Sequence, residues 1–439
     1  MKFVDLFAGL GGFHVALQAL GHECVFASEI DSELRKLYLK NFEGRPPIIH
    51  GDIRGCADRV PNHDVLCAGF PCQPFSKSGS QLGRDDVTRG TLFDEIIKVL
   101  KKREPKYLIL ENVGNFERHD GGNTWRVVQE SLIALGYDVR GTTHVATGGH
   151  GLISPHHLGF PHTRERFFIV GSRDKLPDDP FPKADRRRIT DLGDLVQNQK
   201  DLSKKDLEET RLSEERINCI EQWNLMVQAI PLEVPLPSFP IWSDEFGALY
   251  PFKDTSPFSA PLDVLRSTVS PNGHGPTPTR KQLLSRLPSY ARTEEETFPR
   301  WKVNFISQNR SWYPNVRGYM PPGWLRKIRS FPPSLRKLEW NCNGEPRDLW
   351  RCVLQFRPSG LRAKRYTSSP ALVAMTVTQI PILGPKKRFL TRTEGMRLQG
   401  FPDDFALPSA RERAFAALGN AVHTGVVQEI ASRLLGGRG

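Results

Sequence analysis

Phe3-Val4-Asp5-Leu6-Phe7-Ala8-Gly9-Leu10-Gly11-Gly12 decides the fold of this 439-residue chain. Its first half is a strand-type apolar run, and its second half is a glycine turn. Phe13, Ala16, Leu17 and Leu20 then recur at i, i+3, i+4 and i+7 before Gly21, the pattern of one helix face with a stop signal. A lone G-x-G is weak, because ordinary tight turns carry it too. Position 14 is His, so the phosphate fingerprint G-x-G-x-x-G is incomplete. That disfavours a pyrophosphate cofactor and leaves room for a sulfonium nucleoside.

Further strands are expected at Glu23–Ser28, Ile48–His50, Val65–Ala68, Tyr107–Leu110 and Phe167–Val170, with Leu92, Phe93, Ile96, Ile97 and Leu100 on a helix between them. The alternation predicts an α/β fold, a doubly wound and mostly parallel sheet with helices on both faces. Ligands of such sheets sit at the carboxyl ends of strands. There the second strand runs into Glu29-Ile30, suited to ribose hydroxyls, and the third into Asp52, suited to an adenine amino group. Either acid alone is as well read as a helix cap. Three successive strand ends carrying glycines, Glu and Asp favour a nucleoside pocket.

Charge separates the chain into regions. Residues 1–174 carry 21 Lys+Arg and 21 Asp+Glu, so the formal +12 lies beyond them, and residues 301–400 hold 19 basic against 4 acidic residues. With Trp301, Trp312, Tyr313, Trp324 and Trp340 interleaved, that region is read as facing a nucleic acid. Expected boundaries are 1–175 for a cofactor-binding catalytic domain, 176–385 for a basic target-recognition domain, and 386–439 for a segment returning to the first. Leu418–Leu435 is expected to be helical. Seven cysteines without a C-x-x-C pair argue against zinc or disulfides and fit a reducing cytoplasm. No apolar stretch suggests a membrane span or a secretory signal.

Gly69-Phe70-Pro71-Cys72-Gln73-Pro74-Phe75-Ser76-Lys77-Ser78-Gly79 follows the fourth strand. Prolines on both sides of Cys72 restrict the backbone and fix the direction of its thiol. Such a presented thiol suits a nucleophile.

Six blocks occur in order: Asp5–Gly12, Gly69–Ser76, Glu111-Asn112-Val113, Thr163-Arg164-Glu165-Arg166, Arg397–Asp403 and Gly419-Asn420-Ala421-Val422. On these the chain resembles the DNA (cytosine-5-)-methyltransferases of bacterial restriction–modification systems. The resemblance implies S-adenosyl-L-methionine as methyl donor, no metal, and double-stranded DNA as partner. It also implies a restriction endonuclease acting on the same site, without a stable complex, and a monomer working on the bacterial nucleoid.

By the same resemblance Phe7, Gly9, Gly11, Glu29, Ile30, Asp52, Pro71, Leu92, Asn420 and Val422 bind the cofactor. Cys72 adds to C6 of a flipped-out cytosine, Glu111 serves N3, Arg166 binds O2, and Arg164 positions Glu111 or the base. Arg164 and Arg166 are expected to alternate on one strand and point to one face. Gln73, Ser76 and Ser78 are expected to touch DNA from a mobile loop, and Arg357 and Arg362 to contact it from the insert, where Thr376–Gln379 is a second recognition element. Two departures stand out: His162 where the family has Gln, and Ala421 where it has Ser. A tRNA cytosine-5 methyltransferase, an inactive DNA-binding regulator and a nicotinamide oxidoreductase are the alternatives. Methylation of duplex DNA against tRNA separates the first, and one methyl-transfer assay the second.

Overall fold

The computed structural model describes residues 1–44, 47–71, 91–143, 151–184, 191–269, 278–374 and 377–436. Cys72, Gln73, Ser76, Ser78 and Thr376 therefore lie outside the described residues. The chain divides into two compact units, 1–209 with 367–377 and 391–439, and 210–366 with 378–390. The first unit continues past the expected boundary at 175. Leu176 and Phe181 are buried in its core, and the Gln197 amide donates to Glu394 at 2.9 Å.

The first unit is built on a seven-stranded sheet of β1 (Lys2–Leu6), β2 (Glu23–Ser28), β3 (Ile48–His50), β4 (Val65–Gly69), β5 (Tyr107–Val113), β6 (Asp138–Gly141) and β8 (Arg166–Ser172). The order is β3-β2-β1-β4-β5-β8-β6. β1 to β5 run parallel, and β8 lies antiparallel to both its neighbours. Two short strands, β7 (His162–Thr163) and β13 (Ser369–Pro370), pair separately.

The helices of this unit are α1 (Gly12–Ala19), α2 (Ser32–Asn41), α3 (Leu92–Arg103), α4 (Asn123–Ala134), α11 (Arg392–Gln399), α12 (Arg411–Asn420) and α13 (Thr424–Leu435), with most of α5 (Lys204–Thr210). Alternate strand residues feed two cores. Val4, Leu6, Leu66, Ala68, Leu108 and Leu110 pack with Phe93, Ile96 and Val99 of α3 and Val128 and Leu132 of α4. Phe3, Val65, Cys67 and Ile109 pack with Leu17 of α1 and Val427, Ile430 and Leu434 of α13. A sheet covered on both faces needs apolar residues at every strand position, which is why its strands read as unbroken apolar runs.

The expected helix 418–435 is two helices. α12 ends at Asn420 and α13 starts at Thr424, with His423 capping it by accepting from the Val426 amide at 3.3 Å. The extended residues between them form a strap, and the strap belongs to the site.

The second unit holds a six-stranded sheet, β15-β14-β11-β12-β10-β9. Its strands are β9 (Ile241–Trp242), β10 (Lys337–Asn341), β11 (Val353–Arg357), β12 (Gly360–Lys364), β14 (Ile382–Leu383) and β15 (Arg388–Phe389). Helices α6 (Glu214–Ala229), α7 (Leu262–Val269), α8 (Arg280–Ser285), α9 (Arg300–Val316) and α10 (Trp324–Ile328) accompany it. Among the described residues no helix is long and apolar enough to cross a membrane.

Candidate active site

A cavity of about 440 Å³ opens at the carboxyl ends of β1, β2, β4 and β5 in the first unit. Of the expected cofactor residues, Phe7, Gly9, Glu29, Pro71, Asn420 and Val422 line it, together with Glu111, Arg164 and Arg166. Gly11, Ile30, Asp52 and Leu92 do not.

The cofactor side starts with backbone geometry. Gly9 has φ 56°, and a Cβ built there would meet nothing within 4 Å, so its backbone borders open space. Its amide donates to Glu29 Oε2 at 2.8 Å, and the Asp31 amide donates to Glu29 Oε1 at 2.8 Å. Each carboxylate oxygen has further acceptor capacity. That capacity, beside a glycine cradle, fits the ribose hydroxyls of a nucleoside. Phe7 also has positive φ, 57°, an uncommon conformation for a side-chain-bearing residue.

Gly11 and Gly12 serve packing instead. A Cβ on Gly11 would lie 2.8 Å from the Tyr38 and Phe42 rings, and one on Gly12 would lie 2.6 Å from Val422 Cγ2. The second clash shows how closely the strap approaches the start of α1. Ile30 is 68% exposed beside Glu29. Asp52, at the end of β3, caps a turn and pairs with Arg54, which holds its carboxyl below the usual range. Leu92 opens α3 and packs, half-buried, against the core. Beneath the cradle Asp5 is fully buried, and burial pushes its carboxyl well above the ordinary value.

The opposite wall carries the charges. Glu111, on β5, is buried, and its Oε1 lies 2.9 Å from Arg166 Nε without the alignment of a hydrogen bond. Arg166 opens β8, but Arg164 lies between β7 and β8 rather than on the same strand, which corrects the expected alternation. Both line the cavity all the same, and the Arg164 amide donates to Ser154 Oγ at 2.8 Å. Burial, with Arg166 nearby, lowers its guanidinium to about 9. Nε and Nη1 of Arg164 have no hydrogen-bond partner among the described residues. Buried donors without partners are costly, and Arg164 itself lines the cavity.

Several contacts of the site had no individual signal in the sequence. Arg164 Nη2 donates to the Ala421 carbonyl at 2.9 Å, and Gln399 Nε2 reaches the same oxygen at 3.3 Å as well as the Leu418 carbonyl. Position 421 thus works through its backbone, and loss of a hydroxyl there costs the strap nothing visible. Asn112 donates to the Phe70 carbonyl at 2.9 Å, latching β5 to the segment after β4. His162 is buried beside His423, and burial keeps its ring neutral, reinforced by His423 and the two arginines.

In the second unit, Arg357 and Arg362 differ. Arg362 Nε pairs with Glu339 Oε2 at 2.6 Å, and Ser359 Oγ donates to Glu339 Oε1 at 2.8 Å. Arg357, at the end of β11, has no carboxylate partner among the described residues. Gln355 donates to the Gln379 carbonyl at 2.7 Å and is buried. Among the described residues no group of three or more His, Cys, Asp or Glu could hold a metal ion.

A mostly parallel sheet with a nucleoside-type cradle at one strand end and an acid–guanidinium wall at the next defines an S-adenosylmethionine-dependent methyltransferase fold. The profile of the C-5 cytosine-specific DNA methylase family matches residues 1–234 and 288–436, and the chain belongs to that family. The Type II methyltransferase M.AluI of Cellulosimicrobium cellulans is 34% identical over an alignment covering 98% of this chain and 91% of that protein. M.HaeII of Haemophilus aegyptius is 35% identical, covering 72% of this chain and 90% of its own length. The chain is a DNA (cytosine-5-)-methyltransferase that takes its methyl group from S-adenosylmethionine.

Proposed function

We propose that this enzyme methylates C5 of a cytosine flipped out of a specific duplex sequence, and so protects that sequence from a cognate restriction endonuclease. The observation that carries the reading is the convergence of Glu111, Arg164 and Arg166 in the cavity that also holds Gly9 and Glu29. The protein acts as a monomer on nucleoid DNA.

The residues divide the work. Glu29 and the Gly9 backbone would hold the ribose, and Phe7 and Val422 would flank the nucleoside. S-adenosylmethionine supplies the electrophilic methyl group. Cytosine C5 is a weak nucleophile until a thiolate adds to C6, and Cys72 is assigned that addition. Charge then develops across N3 and O2. Glu111 serves N3, and Arg166 donates to O2, so the ring is stabilised as it loses aromaticity. Arg164 is a positioning residue, since it ties the charged wall to the strap at Ala421. The C5 proton leaves to water, and the Cys72 thiolate departs to restore the ring. Extrusion of the base costs a few kcal/mol and is offset by its contacts in the pocket.

The test uses duplex DNA substituted with 5-fluorocytosine. Fluorine cannot leave as a proton does, so the active protein should form a covalent complex with DNA, stable in denaturing gels and absent for Cys72→Ser. An active enzyme that forms no such complex would refute the covalent route.

A further inference from the structure

In the second unit, α9 is held firmly on one side. Asn309 accepts from the Trp242 amide at 2.7 Å and donates to the Pro240 carbonyl at 2.9 Å. Arg310 pairs with the buried Glu245 at 2.9 Å and stacks on Tyr250 and Phe252, while Tyr313 stacks on Phe246. Lys302, Ile306 and Val316 complete the buried face.

The other side is exposed and has an unusual composition. Trp301, Asn304, Gln308, Ser311 and Asn315 recur at i, i+3, i+7, i+10 and i+14, one stripe of an α-helix. At 1.5 Å per residue the stripe is roughly 21 Å long. Arg300 and Arg317 flank it, and Arg326 and Lys327 follow on α10, all four exposed. Residues 297–338 contain nine Lys+Arg and no Asp or Glu. Inward-facing cations of this segment have carboxylate partners outside it: Lys302 with Glu295, Arg310 with Glu245 and Arg336 with Asp244. Arg300, Arg317, Arg326 and Lys327 have none among the described residues. Nor do Asn304, Gln308, Ser311 and Asn315 make side-chain hydrogen bonds there.

A helix face that merely meets water mixes charges of both signs. Here acids are missing along the whole stripe, and amides and a hydroxyl replace them. A polyanion imposes that pattern, since each acid would repel phosphate. A major groove about 12 Å wide admits one helix, and Asn or Gln side chains match the donor–acceptor edge of adenine. We propose that the exposed face of α9 lies in a groove of the DNA duplex, with Asn304, Gln308 and Ser311 against base edges and Arg317, Arg326 and Lys327 on phosphates. This rests on the duplex-DNA reading above and adds a contact surface to it.

The test has two arms on the full chain. In the first, affinity for sheared genomic duplex is measured against NaCl for the wild type and for Arg317→Ala/Arg326→Ala/Lys327→Ala. Each phosphate contact contributes about 0.9 to the slope of log K on log salt, so the triple variant should lose about 2 to 3. An unchanged slope overturns the proposal. In the second, Asn304→Ala/Gln308→Ala is expressed in cells and its methylated sites are mapped by bisulfite sequencing. A relaxed set of sites is expected, and an unchanged set overturns the groove placement. Thermal melting of both variants, at exposed positions, should match the wild type. Failure of the underlying reading shows in the wild type itself, as methylation of tRNA alone or a flat salt response.

Discussion

Two glutamate–arginine pairs, one in each unit, use the same side chains toward different ends. Glu339 accepts from Arg362 and from Ser359, one donor to each oxygen, and that network is complete. Glu111 meets Arg166 at 2.9 Å without an aligned hydrogen bond, and Arg164 beside it keeps two buried donors unpaired. The first pair joins the parallel strands β10 and β12; the second borders a cavity and waits for a third participant. Polar groups cost little once paired and much when buried unpaired. An unfinished network inside a cleft therefore marks chemistry, and a finished one marks structure.

The sharpest break in that comparison is Cys72→Ala, which should lower methyl transfer at least about a thousandfold, as loss of a covalent nucleophile does. Tritium transfer from labelled S-adenosylmethionine checks it, and retained cofactor binding separates chemistry from folding. Glu111→Gln should cost about a hundredfold or more in turnover, the scale of general acid–base catalysis, with cofactor affinity unchanged. An equal loss for Glu339→Gln would erase the distinction between the two pairs.

Gly12→Ala places a methyl 2.6 Å from Val422 Cγ2 and should push the strap away from the cradle. Overpacking of this kind costs about 1–3 kcal/mol of folding stability, and the displaced strap should also weaken cofactor binding, measured by calorimetry. Stability should also depend on pH through the strap. Burial holds folded His423 at about 3, against an ordinary value of 6.5 for the unfolded chain. Between those values only the unfolded chain takes up the proton. The stabilisation is therefore complete above pH 6.5 and is lost progressively as pH falls toward 3, at about 1.4 kcal/mol per unit once well below 6.5. Denaturant unfolding at pH 7.5 and 5.5 should show this loss, and His423→Asn, which retains a capping group, should reduce it. The smallest effect concerns the second unit. Arg357→Ala should weaken DNA binding several-fold, whereas the double variant Arg362→Ala/Glu339→Ala should leave it nearly unchanged, because that pair carries no net charge.

Much of the first unit was legible because its physics is local. Strands covered on both faces must be apolar throughout, and β2 and β3 fall on the residues expected. The antiparallel placement of β8 was not legible, since pairing direction depends on where the chain has travelled, not on the residues of the strand. Helical spacing runs through Leu418, Val422 and Val426, so the break at 421–423 was hidden; it is made by Arg164, Gln399 and His423, two of them remote in sequence. The nucleoside cradle was read from glycines and acids at strand ends, yet only the structure shows that Gly11 serves two aromatic rings. The insert was legible only as charge. Which cations are already paired, and which face of α9 is bare, are decided by tertiary contacts.

The strap has a consequence for synthesis. Phe7 and Gly9 leave the ribosome long before Asn420 and Val422, which complete the same cavity and emerge with α12 and the residues after it. α13, packed on α1, follows them. A nascent chain can lay down its central strands early, but the donor's berth stays open on one side until these elements have emerged. Methylating competence should therefore switch on abruptly at that point, and nascent fragments lacking α12 and α13 should be unable to retain the methyl donor.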